Sequence, residues 1–157
     1  MQVAKYYSQL IKFRLSTTVV ISALAGYLIG VVNFEIQELI FLIIGGFLVT
    51  GSANGFNQIL EKDYDRLMER TSNRPLPTNK IPYVNAVIFS FIIGVVGLYF
   101  LSMIKPHGSF YGFLSKSSAF GLLSLLIYVL SYTPLKRMST ASIFIGAIPG
   151  AIPVLLG

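Results

Sequence analysis

The stretch L-I-F-L-I-I-G-G-F-L-V-T-G-S-A-N-G-F-N-Q-I-L-E-K-D-Y-D (residues 39–65) runs from hydrocarbon into charge without a break. Residues 39–50 carry no ionisable side chain. Residues 57–77, N-Q-I-L-E-K-D-Y-D-R-L-M-E-R-T-S-N-R-P-L-P, carry eight charged side chains, including four of the six acids in the whole chain. A helix that crosses a membrane and ends in a cluster of acids accounts for both halves, and the cluster needs a reason to exist in so apolar a protein.

Composition places the rest of the chain in the same setting. It is 54% apolar and 11% charged, with a mean hydropathy of +0.73. Soluble domains hold about 25% charged residues, so the shortfall indicates a membrane protein. Cysteine is absent, which excludes disulfides and thiolate metal sites. The basic pI of 9.7 is explained by Lys and Arg in cytoplasmic loops, without nucleic acid as a partner.

A spanning helix needs about 20 mostly apolar residues. Residues 15–32, 36–60, 83–104 and 117–132 are four such runs, and 142–157 begins a fifth. The first has a basic flank like a secretory signal, but it exceeds the roughly 7–15 apolar residues of that class. The runs do not alternate as barrel strands would. The expected fold is therefore an all-α polytopic transmembrane bundle, with about four complete helices and the start of another. Glycines spaced four apart (Gly26/Gly30, Gly51/Gly55, Gly146/Gly150) would allow close helix packing, and Gly51 and Gly55 could also leave room for a substrate beside Asn54. Ten of the 12 basic residues fall on one side of a single topology. That side holds the N-terminus and the loops 61–81 and 133–141, and the positive-inside bias makes it cytoplasmic.

Continued through residue 65, the second helix advances about 100° per residue, which puts Asn54, Asn57, Glu61 and Asp65 within an arc of roughly 80°. Asp63 faces away. Carboxylates and amides on one stripe form an all-oxygen donor set, the preference of Mg²⁺, which is typically held by one or two carboxylates together with substrate phosphates. As ordinary exposed charges, Glu61 and Asp65 would instead repel at i,i+4. Arg66, Arg70, Arg74 and Lys80 follow, and a guanidinium fork fits phosphate oxygens. The loop S-Y-T-P-L-K-R-M-S-T adds Tyr132, Lys136 and Arg137, which could meet phosphate or simply mark topology and the interface. His107, the sole histidine, falls in the opposite loop and is expected to be an ordinary loop residue.

At these positions the sequence resembles the UbiA-type intramembrane prenyltransferases. The likeness lies in Asn57-x-x-x-Glu61-x-x-x-Asp65, then Met68-x-Arg70-Thr71-x-x-Arg74-Pro75-Leu76. It extends to Y-T-P-L-K-R (132–137), I-G-A-I-P-G-A-I-P (145–153) and Lys12-Phe13-Arg14. It covers nearly the whole chain and is strongest to the branch that farnesylates protoheme IX. Glu61 stands where many relatives have Asp, and Val154 where a second proline is expected.

The resemblance implies Mg²⁺-dependent transfer of a farnesyl group from farnesyl diphosphate to a vinyl group of heme b, giving heme O. A quinone-precursor or chlorophyllide-type acceptor, or a non-catalytic membrane subunit, are the alternatives. It implies Glu61, Asp65 and Asn57 at the metal, and Asn54, Arg66, Arg70, Arg74, Lys136 and Arg137 at the diphosphate, with Tyr132 and Lys136 beside the reacting group. It also implies a bundle of about nine helices with a second acidic motif. No acid follows Glu69, so residues 1–157 are expected to be the N-terminal part of one prenyltransferase domain in the inner membrane, inactive in transfer by themselves.

Overall fold

A computed structural model describes residues 2–104, 115–136, 138–140 and 142–156. Lys105, His107 and Arg137 lie outside the described residues. Among those described, all regular structure is helical. The helices are α1 (Gln2–Leu10), α2 (Phe13–Gly30), α3 (Ile36–Leu67), α4 (Tyr83–Ser102), α5 (Lys116–Leu135) and α6 (Ser142–Leu156). Helices α2 to α5 are each long and apolar enough to cross a membrane. The chain is thus a multi-pass membrane helix bundle, as its hydropathy indicates.

Three boundaries differ from expectation, each for a physical reason. First, α1 is a separate short helix with a polar outer face, and the chain turns at Lys12 before α2 begins. Second, α3 continues to Leu67. Its 32 residues extend about 48 Å at 1.5 Å each, well beyond a hydrocarbon core of about 30 Å. Helix α3 is therefore longer than a hydrocarbon core by about three turns. Third, α5 runs on past Tyr132. Residues Ile127–Tyr132 adopt the wider i→i+5 pattern, and the Thr133 N–H bonds the Tyr128 carbonyl five residues back. That local widening accommodates Pro134, and the helix resumes over Thr133–Leu135.

Helix α3 is the centre of the bundle, packed by α2, α4 and α5, while α6 closes against α2 and α5. The α3–α4 seam is built from small residues, as expected where lipid and side chain are equally apolar and close packing supplies the attraction. Ser52 Oγ donates to the Ser90 carbonyl at 2.7 Å. Gly55 faces Ser90, Gly94 faces Ser52, and Gly97 lies directly on the Val49 backbone. The space beside Gly51 and Gly55 is filled by Ile11 and Ser90. These glycines therefore serve helix packing, not substrate room.

Helix α6 holds Pro149 and Pro153 yet stays continuous. Pro153 cannot donate to the Pro149 carbonyl, and the Ser124 hydroxyl of α5 does so instead at 3.4 Å. Two apolar clusters hold the ends of the bundle. Ala23, Tyr27, Leu42, Val49 and Leu101 pack at one end, and Leu10, Ile59, Leu76, Ile81 and Ala86 at the other.

A Cβ on Gly97 would meet the Val49 nitrogen at 2.8 Å, and backbone cannot step aside. Gly97→Val is expected to cost about 1–3 kcal/mol by overpacking. It should lower the thermal midpoint of the helical circular dichroism signal in detergent; a midpoint equal to wild type would contradict the packing described.

Candidate active site

The polar stripe of α3 is buried. Asn54, Asn57, Gln58, Glu61 and Asp65 are all closed to solvent, whereas Asp63, Arg66 and Glu69 are exposed. Burying a carboxylate is expensive unless a cation and hydrogen bonds accompany it, and both carboxylates have one. Lys136 Nζ sits 2.5 Å from Glu61 Oε1, and Arg74 donates to Asp65 Oδ2 at 2.6 Å.

Local structure aims each cation. Leu76 is fully buried in the apolar cluster with Leu10 and Ile59, which pins the 68–82 loop beneath the end of α3. Thr71 Oγ1 donates to the Asp65 carbonyl at 3.0 Å, capping an orphan carbonyl of the last turn. Together these contacts turn Arg74 back onto Asp65. On α5, Thr133 Oγ1 donates to Tyr128 O at 2.8 Å and accepts from Asn57 Nδ2 at 3.3 Å. The resumed helix after the wide turn places Lys136 one turn beyond Tyr132. The Tyr128 and Tyr132 rings stack 5.2 Å apart, and Gly146 of α6 leaves the room that one edge of the Tyr132 ring occupies.

A third cation reaches the stripe from the N-terminal side. Lys12 Nζ donates to Asn57 Oδ1 at 3.1 Å. Its backbone is left-handed (φ 49, ψ 58), a conformation costing a non-glycine residue about 1–2 kcal/mol. Helix α3 holds the junction in that shape. The Gln58 amide donates to the Gln9 and Leu10 carbonyls at 2.9 and 2.8 Å, covering the open end of α1. Asn54 donates to Ser16 Oγ, which donates to the Ile11 carbonyl. Burial first, and then Arg74 and Lys136, pull the Lys12 ammonium down to about 8.

These groups line a cavity of about 710 Å³ that also includes Tyr64, Met68, Arg70 and Thr71. An apolar cavity of about 220 Å³ adjoins it through Tyr128 and is lined by Leu15, Val19, Val49, Ala53 and Pro149, with Asn54 at its edge. Of the residues singled out from sequence, the polar cavity brings together Asn57, Glu61, Asp65, Arg70, Arg74, Tyr132 and Lys136. Asn54 belongs to the apolar cavity, and Arg66 faces outward without lining either. Lys12, Tyr128 and Thr133 were not singled out as site residues; Lys12-Phe13-Arg14 was noted only as a motif. Nothing local marks their convergence, since Thr133 meets Asn57 across 76 positions of sequence.

Asn57, Glu61 and Asp65 present one amide and two carboxylate oxygens to the same cavity on successive turns. That donor set fits a hard divalent cation, which keeps several waters and takes further oxygens from phosphate. Among the described residues, no three His, Cys, Asp or Glu converge on a possible metal position.

Comparison with known proteins follows the same lines. The model of the UbiA prenyltransferase family matches residues 19–157. A protoheme IX farnesyltransferase of Flavobacterium psychrophilum is 41% identical over 154 residues, covering 96% of this chain and 48% of its own length. One from Cytophaga hutchinsonii is 41% identical over 154 residues, covering 96% and 50%. The mitochondrial protoheme IX farnesyltransferase of Arabidopsis thaliana is 37% identical over 160 residues, covering 98% and 34%. The chain spans about half the length of the bacterial relatives it matches. A solved structure from a study of digeranylgeranylglyceryl phosphate synthase has a TM-score of 0.85 over 99% of this chain and 52% of its own, at 24% identity. That likeness is one of fold.

Gln58→Met removes the donor from two carbonyls at a cost of about 1–3 kcal/mol. Hydrogen–deuterium exchange over residues 2–12 is expected to accelerate while α4 is unaffected. Unchanged protection would mean that α1 is held by other contacts.

Proposed function

The chain belongs to the UbiA prenyltransferase family, and from that membership we propose that it forms the prenyl-diphosphate-binding part of a protein that farnesylates heme b to heme O. One observation carries the reading. A cavity lined by two carboxylates, an amide and four cationic side chains adjoins an apolar cavity inside the bundle. That pairing suits an amphiphile with a polyanionic head and a hydrocarbon tail. Farnesyl diphosphate as donor and heme b as acceptor come from the relatives named above; the two cavities support the donor's chemistry.

In this reading Asn57, Glu61 and Asp65 hold a divalent cation, Mg²⁺ by donor preference, which supplies positive charge to the leaving diphosphate. Arg70, Arg74 and Lys136 bind the remaining phosphate oxygens, and Arg74 does so in a loop already fixed by Leu76. The allylic C–O bond breaks with its electron pair passing to the diphosphate. The farnesyl cation left behind needs a site without water. Tyr128 lines both cavities, the Tyr132 ring stacked on it lines the polar one, and an aromatic face suits a developing cation. The π electrons of the heme vinyl group then form the new carbon–carbon bond, which leaves a cation on the vinyl carbon next to the ring; a water admitted after this step adds there and loses a proton, giving the hydroxyl-bearing side chain of heme O. The loop charges support a cytoplasmic position for the polar end.

The test is binding of a fluorescent farnesyl diphosphate analogue to the chain in nanodiscs. Binding is expected to require Mg²⁺, and Glu61→Ala or Asp65→Ala to weaken it at least tenfold, about 1.4 kcal/mol. Mg²⁺-independent binding, equal in the variants, would refute the assignment. With heme b and Mg²⁺ added, the 157-residue chain alone is expected to form no heme O, because no second acidic motif occurs in it. Chromatographic detection of heme O would overturn that part.

A further inference from the structure

Beyond the apolar cavity of about 220 Å³, the space between the helices continues. A second apolar cavity, of about 30 Å³, shares Val19, Val49, Thr50, Ser124 and Pro153 with it. The two form one channel that narrows away from the polar site. It starts at Asn54 and Tyr128 and stops against Ala23, Leu42 and Leu101, all three buried. Along α3 the levels of Asn54 and Leu42 are separated by about 18 Å, at 1.5 Å per residue.

Leu101 of α4 forms the closed end. A Cβ on Gly45 of α3 would meet Leu101 Cγ at 2.8 Å, and one on Gly121 of α5 would meet its Cδ1 at 2.6 Å. The leucine is wedged between the backbones of two helices and has no room to swing aside. Gly46 is placed differently. It lines the narrow part of the channel, and the nearest atom to a Cβ there is Val20 Cγ2, at 3.9 Å. The side chain it lacks leaves the passage open and is not needed for helices to approach.

Resting on the prenyl diphosphate reading above, we propose that Gly46 and Leu101 set the length of prenyl tail that this site accepts: Gly46 leaves the passage for a third isoprene unit, and Leu101 stops a fourth. The lengths agree. With carbon–carbon bonds of about 1.5 Å in a zigzag, the main chains of two, three and four isoprene units extend roughly 9, 14 and 19 Å. Gly46 lies about 12 Å along α3 from Asn54, beyond the reach of two units and within that of three. Four units overrun the channel and would have to displace Leu101. Lipid is as apolar as the channel, so burial alone selects nothing. Selection comes from fit: dispersion contact where a unit fills the space, and overpacking where it does not.

The experiment is calorimetric titration of the chain in nanodiscs, with Mg²⁺, by geranyl, farnesyl and geranylgeranyl diphosphates and by inorganic diphosphate. Each ligand is compared between variant and wild type, so its partition into lipid cancels. Gly46→Val is expected to weaken farnesyl diphosphate about tenfold and leave geranyl diphosphate unchanged. Leu101→Ala should tighten geranylgeranyl diphosphate at least fivefold, again with geranyl diphosphate unchanged. Inorganic diphosphate should bind equally to all three proteins. Should Leu101→Ala fail to fold, Gly46→Val decides alone, since it adds bulk where there is room. Geranyl and farnesyl diphosphates weakened equally by Gly46→Val, or neither weakened, overturns the proposal. So does geranylgeranyl affinity unmoved in a folded Leu101→Ala. Wild type binding neither inorganic nor prenyl diphosphate would instead take down the prenyl diphosphate reading itself.

Discussion

Two carboxylates one helical turn apart, both buried at the end of a membrane helix, are the constraint around which the rest of this structure is arranged. Side by side they repel, and burial withdraws the water that would screen them. They are tolerable only with cations within hydrogen-bond reach. Helix α3 cannot supply those cations: Lys62 and Arg66 flank the acids in sequence, but Arg66 points to solvent. The cations come instead from the 68–82 loop and the end of α5, and Lys12 serves the neighbouring amide. Three remote segments are thereby drawn to one place, and the ion pairs are at once the local packing and the makings of the site.

The bundle beneath sets how closely those segments approach. Small residues along the α3–α4 seam bring the two helices almost backbone to backbone, and the glycine at Gly146 lets Tyr132 settle against α6. The wide turn in α5 keeps the helix running through Pro134, so that Lys136 reaches Glu61. Polar groups freed by these irregularities are taken up within the protein, as the lack of water in a bilayer requires. Ser124 covers the carbonyl that Pro153 leaves open, and Gln58 covers the end of α1.

The same stripe organises both cavities. Asn57, Glu61 and Asp65 face the polar one, and Asn54, one turn deeper, borders the apolar one. Polarity thus changes along a single helix over one turn.

What the sequence determined by itself was whatever depends on local pattern. Apolar runs of spanning length gave the helices, loop charges put both polar loops at one end, and the helical period put Asn57, Glu61 and Asp65 on one face with Asp63 opposite. Motif likeness then pointed to the family. Only the tertiary structure decided which cation meets which acid. Four basic residues follow Asp65 within residues 66–80, and Arg74 is the one that pairs with it because Leu76 buries itself and turns the loop back. Lys12 enters the site because an amide of α3 holds a junction 48 positions away in sequence. Asn54 borders the apolar cavity and not the polar one, with its amide engaged by Ser16 of α2. Spacing fixes the angle of a side chain about its own helix; what stands at the end of that direction depends on the path of distant chain, and that path is set by packing.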